Sequence, residues 1–239
     1  MQFVSLENAQ ADAGETTCGL GEKMAILQIL LDRRAFFLQC FLEHIQISAV
    51  SISIACVLGI AAGIFITYHK KLETPVLSVV NVIYTIPSIA LLGFLIPLTG
   101  IGNRTAIIAL TIYGLLPIVR TTHTGFATID RSVREAAMSS GADRWQIITQ
   151  IELPMAFPVI FSGFRNMVVM VIAMGGIASF IGAGGLGVAV FRGISTYNMT
   201  LTAAGALLIA LLALITDWFL GKAEKAVKDR LGMEEDAHD

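Results

Sequence analysis

Residues 134–154 read Arg134-Glu135-Ala136-Ala137-Met138-Ser139-Ser140-Gly141-Ala142-Asp143-Arg144-Trp145-Gln146-Ile147-Ile148-Thr149-Gln150-Ile151-Glu152-Leu153-Pro154. The stretch is polar, keeps helical periodicity, and lies between two hydrophobic runs. Ser132 and Glu135 have the S-x-x-E spacing of a capping box, in which hydroxyl and carboxylate each satisfy an orphan backbone N–H. Ala136, Ala137 and Met138 continue as good helix formers, and Gly141 supplies the left-handed residue on which a helix stops and turns. Asp143 with Gln146 three residues later predicts a second helix start. Trp145, Ile148 and Ile151 are expected on one face of that helix, and Pro154 is expected to end it. A polar helix–turn–helix between membrane segments reads as a docking element. An amphipathic hairpin lying on the membrane surface is the blander alternative.

Bulk composition sets the frame. Of 239 residues, 55% are hydrophobic and 14% charged, with a mean hydropathy of +0.75, a balance that calls for an integral membrane protein. The net charge of −2 marks no nucleic-acid partner, and the chain has no basic domain, zinc spacing or glycine-rich phosphate loop. Cys18, Cys40 and Cys56 are scattered and imply no disulfide framework. Residues 1–21 are polar, lack the basic start of a secretory signal, and read as a poorly ordered extension. Over 22–43, Met24, Leu27, Leu31, Phe37 and Phe41 recur at helical spacing around Asp32-Arg33-Arg34, which predicts an amphipathic helix at a membrane interface.

The transmembrane domain is placed at 44–221. Five spans are expected: 45–68, 75–98 (interrupted by Pro87), 105–119 (ending at Pro117 and Arg120), 157–180 and 199–219, with the glycine-rich stretch 180–187 open to a sixth, short or re-entrant segment. Small residues in the first, among them Ser48, Ser51, Ser53, Gly59, Ala61, Ala62 and Gly63, predict a helix-packing face. Residues 222–239 read as a cytoplasmic tail, with a basic helix end and then an acidic stretch. With 131–154 inside, the inner side holds Lys70, Lys71, Arg131, Arg134, Arg144, Lys222, Lys225, Lys228 and Arg230, against Arg33, Arg34, Arg104 and Arg192 outside. That is the positive-inside pattern, and it puts the N-terminus outside. The middles of the first three spans carry no Asp, Glu, Lys or Arg, which disfavours an ion-coupled carrier or channel. Arg165 and Asp217, near span ends, are expected to reach the interface by snorkelling. His44, His69, His123 and His238 lie far apart and suggest no metal site.

Glu135-Ala136-Ala137, Gly141 and Ile151-x-Leu153-Pro154, with Trp145 between, resemble the EAA loop of permease subunits of bacterial ATP-binding cassette importers. The resemblance implies an all-α type I importer fold, with 131–154 as the cytoplasmic coupling loop seated on an ATP-hydrolysing partner. It implies further partners too: a second permease copy or a homologous permease, and an extracellular binding protein. ATP and magnesium would sit on the ATPase subunit, since this chain has no G-x4-G-K-[ST], and no cofactor would be bound here.

Tyr84-Thr85-Ile86-Pro87-Ser88-Ile89-Ala90-Leu91-Leu92-Gly93 and Phe180-Ile181-Gly182-Ala183-Gly184-Gly185-Leu186-Gly187 are similar to the branch importing glycine betaine, carnitine and choline. A permease for another small solute, such as a methionine-like amino acid, is the alternative. G-x-G-G-x-G without a preceding strand is no dinucleotide fingerprint. Tyr84, Pro87, Tyr113, Gly184 and Gly185 are the candidates for the translocation path, because aromatic faces suit a methylammonium group and a broken helix can line a cavity.

Overall fold

The computed structural model describes residues 24–230, so the expected extension over 1–21, the acidic stretch after Arg230, Cys18 and His238 lie outside it. All regular structure among the described residues is helical. In chain order, the helices are α1 (24–32), α2 (Arg34–Tyr68), α3 (Lys70–Thr85), α4 (Ser88–Thr99), α5 (Asn103–Ala127), α6 (Arg131–Ser139), α7 (Arg144–Gln146), α8 (Leu153–Gly175), α9 (Gly187–Ser195) and α10 (Met199–Arg230). A π-helical segment, Ile147–Glu152, joins α7 to α8, and a 3-10 segment, Ile177–Ile181, follows α8. Four helical stretches are long and apolar enough to cross a membrane: α2, α5, Arg144–Gly175 and α10. The pair α3 and α4 qualifies as a fifth when taken together, bent by 100°. The five expected spans are reached when this bent pair is taken as one span.

The core is made by α2, α5 and α8. Ser48, Ser51, Ala55, Gly59 and Gly63 are buried on one stripe of α2, at spacings of three and four, and this stripe lies against α5. Ser53 and Ala61 are exposed, so only part of the expected small-residue set faces protein. A Cβ on Gly63 would come within 2.5 Å of Thr122 Cβ and 2.9 Å of the Val119 carbonyl oxygen. Backbone cannot yield as a side-chain tip can, so the two helices touch only because position 63 has no side chain. We predict that Gly63→Leu destabilises the protein by about 3 kcal/mol or more, beyond the usual range for overpacking. Thermal unfolding in detergent would check it, with wild-type melting as the contrary result.

Three boundaries differ from expectation. The break between the expected 22–43 helix and the first span falls at Arg33, and α2 then runs unbroken for 35 residues. Nothing from Ala35 to Tyr68 breaks a helix, and Phe37, Cys40 and His44 extend its buried stripe. The third span does not stop at Pro117. Helix α5 continues to Ala127, and Thr121 Oγ1 donates to the Pro117 carbonyl at 2.8 Å. Arg165 and Asp217 do not snorkel apart: Arg165 donates to both Asp217 oxygens at 2.7 and 2.8 Å and to Glu224 at 3.1 Å. A bidentate pair satisfies both charges where α8 meets α10.

Pro87 breaks the second span as its chemistry requires, having no N–H to donate. Ile86 N turns back to the Ile83 carbonyl at 3.1 Å, and α4 restarts after Pro87. The Ile86 carbonyl, left outside both helices, accepts a hydrogen bond from the Tyr113 hydroxyl of α5. The glycine-rich stretch leads into α9, whose nine residues span only about 14 Å, too short to cross a bilayer.

Candidate functional site: the polar hairpin and the broken span

The polar hairpin forms with one change at each end. Helix α6 is capped by Asp130, whose carboxylate accepts from Ser132 N at 2.8 Å, rather than by Ser132 itself. This bond holds the Asp130 carboxyl below its ordinary range. The cap is therefore present at neutral pH and is lost as acid protonates it. Glu135 is taken by Arg131 at 2.7 Å, one turn earlier, which leaves it unavailable for the expected capping box. Gly141 adopts φ +82, the predicted left-handed turn. The second start forms as predicted: Asp143 N donates to Gln146 Oε1 at 2.9 Å in a capping box.

Pro154 does not end the second helix. The π-helical turn changes the hydrogen-bond register, and α8 then begins with the proline in its first turn, where a missing N–H goes unnoticed. The same turn rearranges the faces. Ile147 and Glu152, five residues apart, are buried, while Trp145 points away and is 70% exposed. Ile148 and Leu153 pack on the core from the side, and Ile151 is half-buried. Ala137 is buried, Glu135 and Ala136 are exposed, and Met138 is 57% exposed. The hairpin thus presents Met138 and Trp145 outward from an otherwise polar element.

Glu152 was not anticipated as a site residue. Its side chain is 1% exposed and accepts hydrogen bonds from Arg134 Nε and from the Tyr68 hydroxyl. Arg134 Nη2 also donates to the Phe126 carbonyl at 2.7 Å, and the Arg144 guanidinium lies 5.5 Å from the centre of the Tyr68 ring.

The path candidates fall into two groups. Tyr84 and Tyr113 meet edge to face at 6.2 Å beside Pro87, in a cavity of about 290 Å³ with Met170 and Met174. Tyr84 and Met170 also line a neighbouring cavity of about 490 Å³, which reaches Asn166 and Arg120. Gly184 and Gly185 are elsewhere, against α2: their amides donate to Asn103 Oδ1 at 2.8 Å and Glu43 Oε2 at 3.2 Å. His44, His69 and His123 each have separate partners, and no group of three metal-ligating side chains occurs among the described residues.

Comparison with known proteins agrees with this architecture. Residues 55–229 match the family model described as binding-protein-dependent transport system inner membrane component. The osmoprotectant import permease protein OsmW of Salmonella typhimurium is 41% identical over 206 residues, covering 84% of this chain and 96% of that protein. The choline transport system permease protein OpuBB of Bacillus subtilis is 36% identical over 200 residues, 84% of this chain and 92% of that one. Among solved structures, an inward-facing MetNI methionine ABC transporter superposes with a TM-score of 0.73 at 26% identity, covering 81% of this chain and 97% of that chain. The chain accordingly belongs to the inner-membrane permease family of binding-protein-dependent ABC importers, multi-pass subunits that work with a separate ATPase and a binding protein.

Proposed function

We propose that this permease imports osmoprotectants of the quaternary-amine class, with glycine betaine, carnitine and choline as the candidates. The observation that carries the solute class is the likeness, over most of both chains, to OsmW and OpuBB. The broken span adds chemical support. Tyr84 offers an exposed aromatic ring, with the buried Tyr113 edge to face beside it, and Met170 a polarisable sulfur, to a methylammonium group. Arg120 and Asn166, in the cavity that shares Tyr84 and Met170, suit a carboxylate. Glycine betaine and carnitine carry both groups, whereas choline has no carboxylate.

Two permease copies, or this chain with a homologue, would enclose the path, since one bundle leaves Tyr84 and much of α3 exposed. The hairpin and C-terminus would face the cytoplasm and the N-terminus the outside. ATP and magnesium on the partner subunits would close them together, move the hairpins, and rock the spans between inward- and outward-facing states.

The test is uptake into proteoliposomes holding the permease with its ATPase and binding protein. The proposal expects ATP-dependent accumulation of at least one quaternary amine and none of methionine; methionine uptake alone would overturn it. Within the same assay, Arg120→Gln is expected to lower glycine betaine and carnitine uptake about tenfold, with choline affected less. Equal loss for all three would remove Arg120 from carboxylate binding.

A further inference from the structure

We infer that Tyr68, Arg134 and Glu152 form the joint through which movement of the α6–α7 hairpin reaches α2 and α5. The inference rests on the proposed docking of the hairpin to an ATPase. Four elements meet at this point. Arg134 comes from α6, Glu152 from the π-helical segment, Tyr68 from the last turn of α2, and the Phe126 carbonyl from the end of α5. Arg144 of α7 adds a cation over the Tyr68 ring.

Burial makes this cluster different from the hairpin's other polar contacts. The Arg131–Glu135 pair lies within α6, with both side chains more than half exposed, and can exchange its bonds with water. Glu152 is shut away from water, so its charge must keep its partners as the helices shift. Apolar contacts can slide past one another; a buried carboxylate held by a guanidinium and a phenol moves with them as a unit.

Local backbone geometry serves the same end. Bonding of the i→i+5 type in Ile147–Glu152 places residues five apart on one face, which is how Ile147 and Glu152 come to be buried together. In a plain α-helix the same spacing would turn the carboxylate away from Arg134.

The experiment uses the assembled complex with its ATPase, in a background lacking the three native cysteines. Spin labels are placed at Ser139→Cys on α6 and, separately, at Gln39→Cys near the other end of α2, about 44 Å away along the helix. Distances between the two copies are measured by pulsed electron resonance, with and without Mg-ATP and vanadate. No solute is needed, so the substrate assignment is not at issue.

In the otherwise wild-type complex both label pairs shift on trapping. With Tyr68→Phe, which removes one hydroxyl and keeps the ring, the Ser139 pair shifts as before and the Gln39 shift falls by at least half. Paired replacement of Arg134→Met and Glu152→Leu abolishes the Gln39 shift. His123→Asn breaks a bridge from α5 to Thr67 and Glu73 that does not touch the hairpin, and leaves both shifts intact. Unchanged Gln39 shifts in both joint variants would overturn the inference, as would an equal loss in His123→Asn. A Ser139 pair that does not respond even without these substitutions would overturn the docking reading, and the inference with it.

Discussion

Gly141→Val is expected to abolish ATP-driven uptake, at least tenfold, while the protein still inserts and α2, α5 and α8 still pack. The effect is one of backbone alone. Among the described residues nothing lies within 4 Å of where a Cβ at 141 would sit, so valine meets no clash within the chain. The cost comes from φ +82, which L-residues enter at about 1–2 kcal/mol and β-branched ones at more. A penalty of roughly 2 kcal/mol on an exposed two-helix turn shifts most molecules out of the docking geometry, since 1.4 kcal/mol is a factor of ten. Asparagine tolerates the left-handed region, so Gly141→Asn should keep most of the activity. Steric exclusion would instead make the two variants equally inactive. Uptake measured for both, at matched amounts of membrane protein, separates the two explanations.

Arg134→Ala should be the most destabilising polar substitution in the hairpin. It leaves the Glu152 carboxylate buried with only the Tyr68 hydroxyl for company. Removing one partner of a buried pair costs about 3–5 kcal/mol, and the low end applies because Arg134 is itself 29% exposed. For a chain of this size that lowers the melting temperature by roughly 6–12 °C. Replacing both partners with apolar residues of similar size should recover most of the stability, because no charge is then left unpaired. Coupling should not recover with it. A double variant that melts like the wild type yet transports poorly would show that the pair serves movement more than stability. Recovery of both together would assign it a structural role only.

How much of this could be read from the sequence depended on how local the cause was. Gly141, the Asp143–Gln146 box and the break at Pro87 each follow from backbone chemistry within four residues, and all three formed as expected. At the start of α6 two capping signals overlap, and Asp130 rather than Ser132 takes the cap. Asp130 precedes the S-x-x-E pattern and takes the Ser132 amide, and Arg131 takes Glu135. Pro154 reads as a stop only if the helix before it is α-helical, and the π turn changes that premise.

Glu152 was hidden for a different reason. A carboxylate in a polar insert looks like surface, and its partners lie 18 and 84 residues away in sequence. The one local hint is that Glu152, seven residues after Trp145 and four after Ile148, falls on the otherwise apolar face of Trp145, Ile148 and Ile151. The path candidates divided on the same principle. Tyr84, Pro87 and Tyr113 meet because the proline frees a carbonyl that a phenol can satisfy, while Gly184 and Gly185 were drawn to α2 by Glu43 and to α5 by Asn103, a pairing no spacing announces.

The central claim is that residues 131–154 seat this permease on an ATPase. Its most direct test is a cysteine at Ser139, on the exposed side of α6, carrying a short cross-linker in native membranes. The account predicts capture of an ATP-binding subunit, lost in Gly141→Val and kept in Gly141→Asn. Membranes in which that subunit is present but is never captured from position 139, while uptake remains ATP-driven, would contradict it.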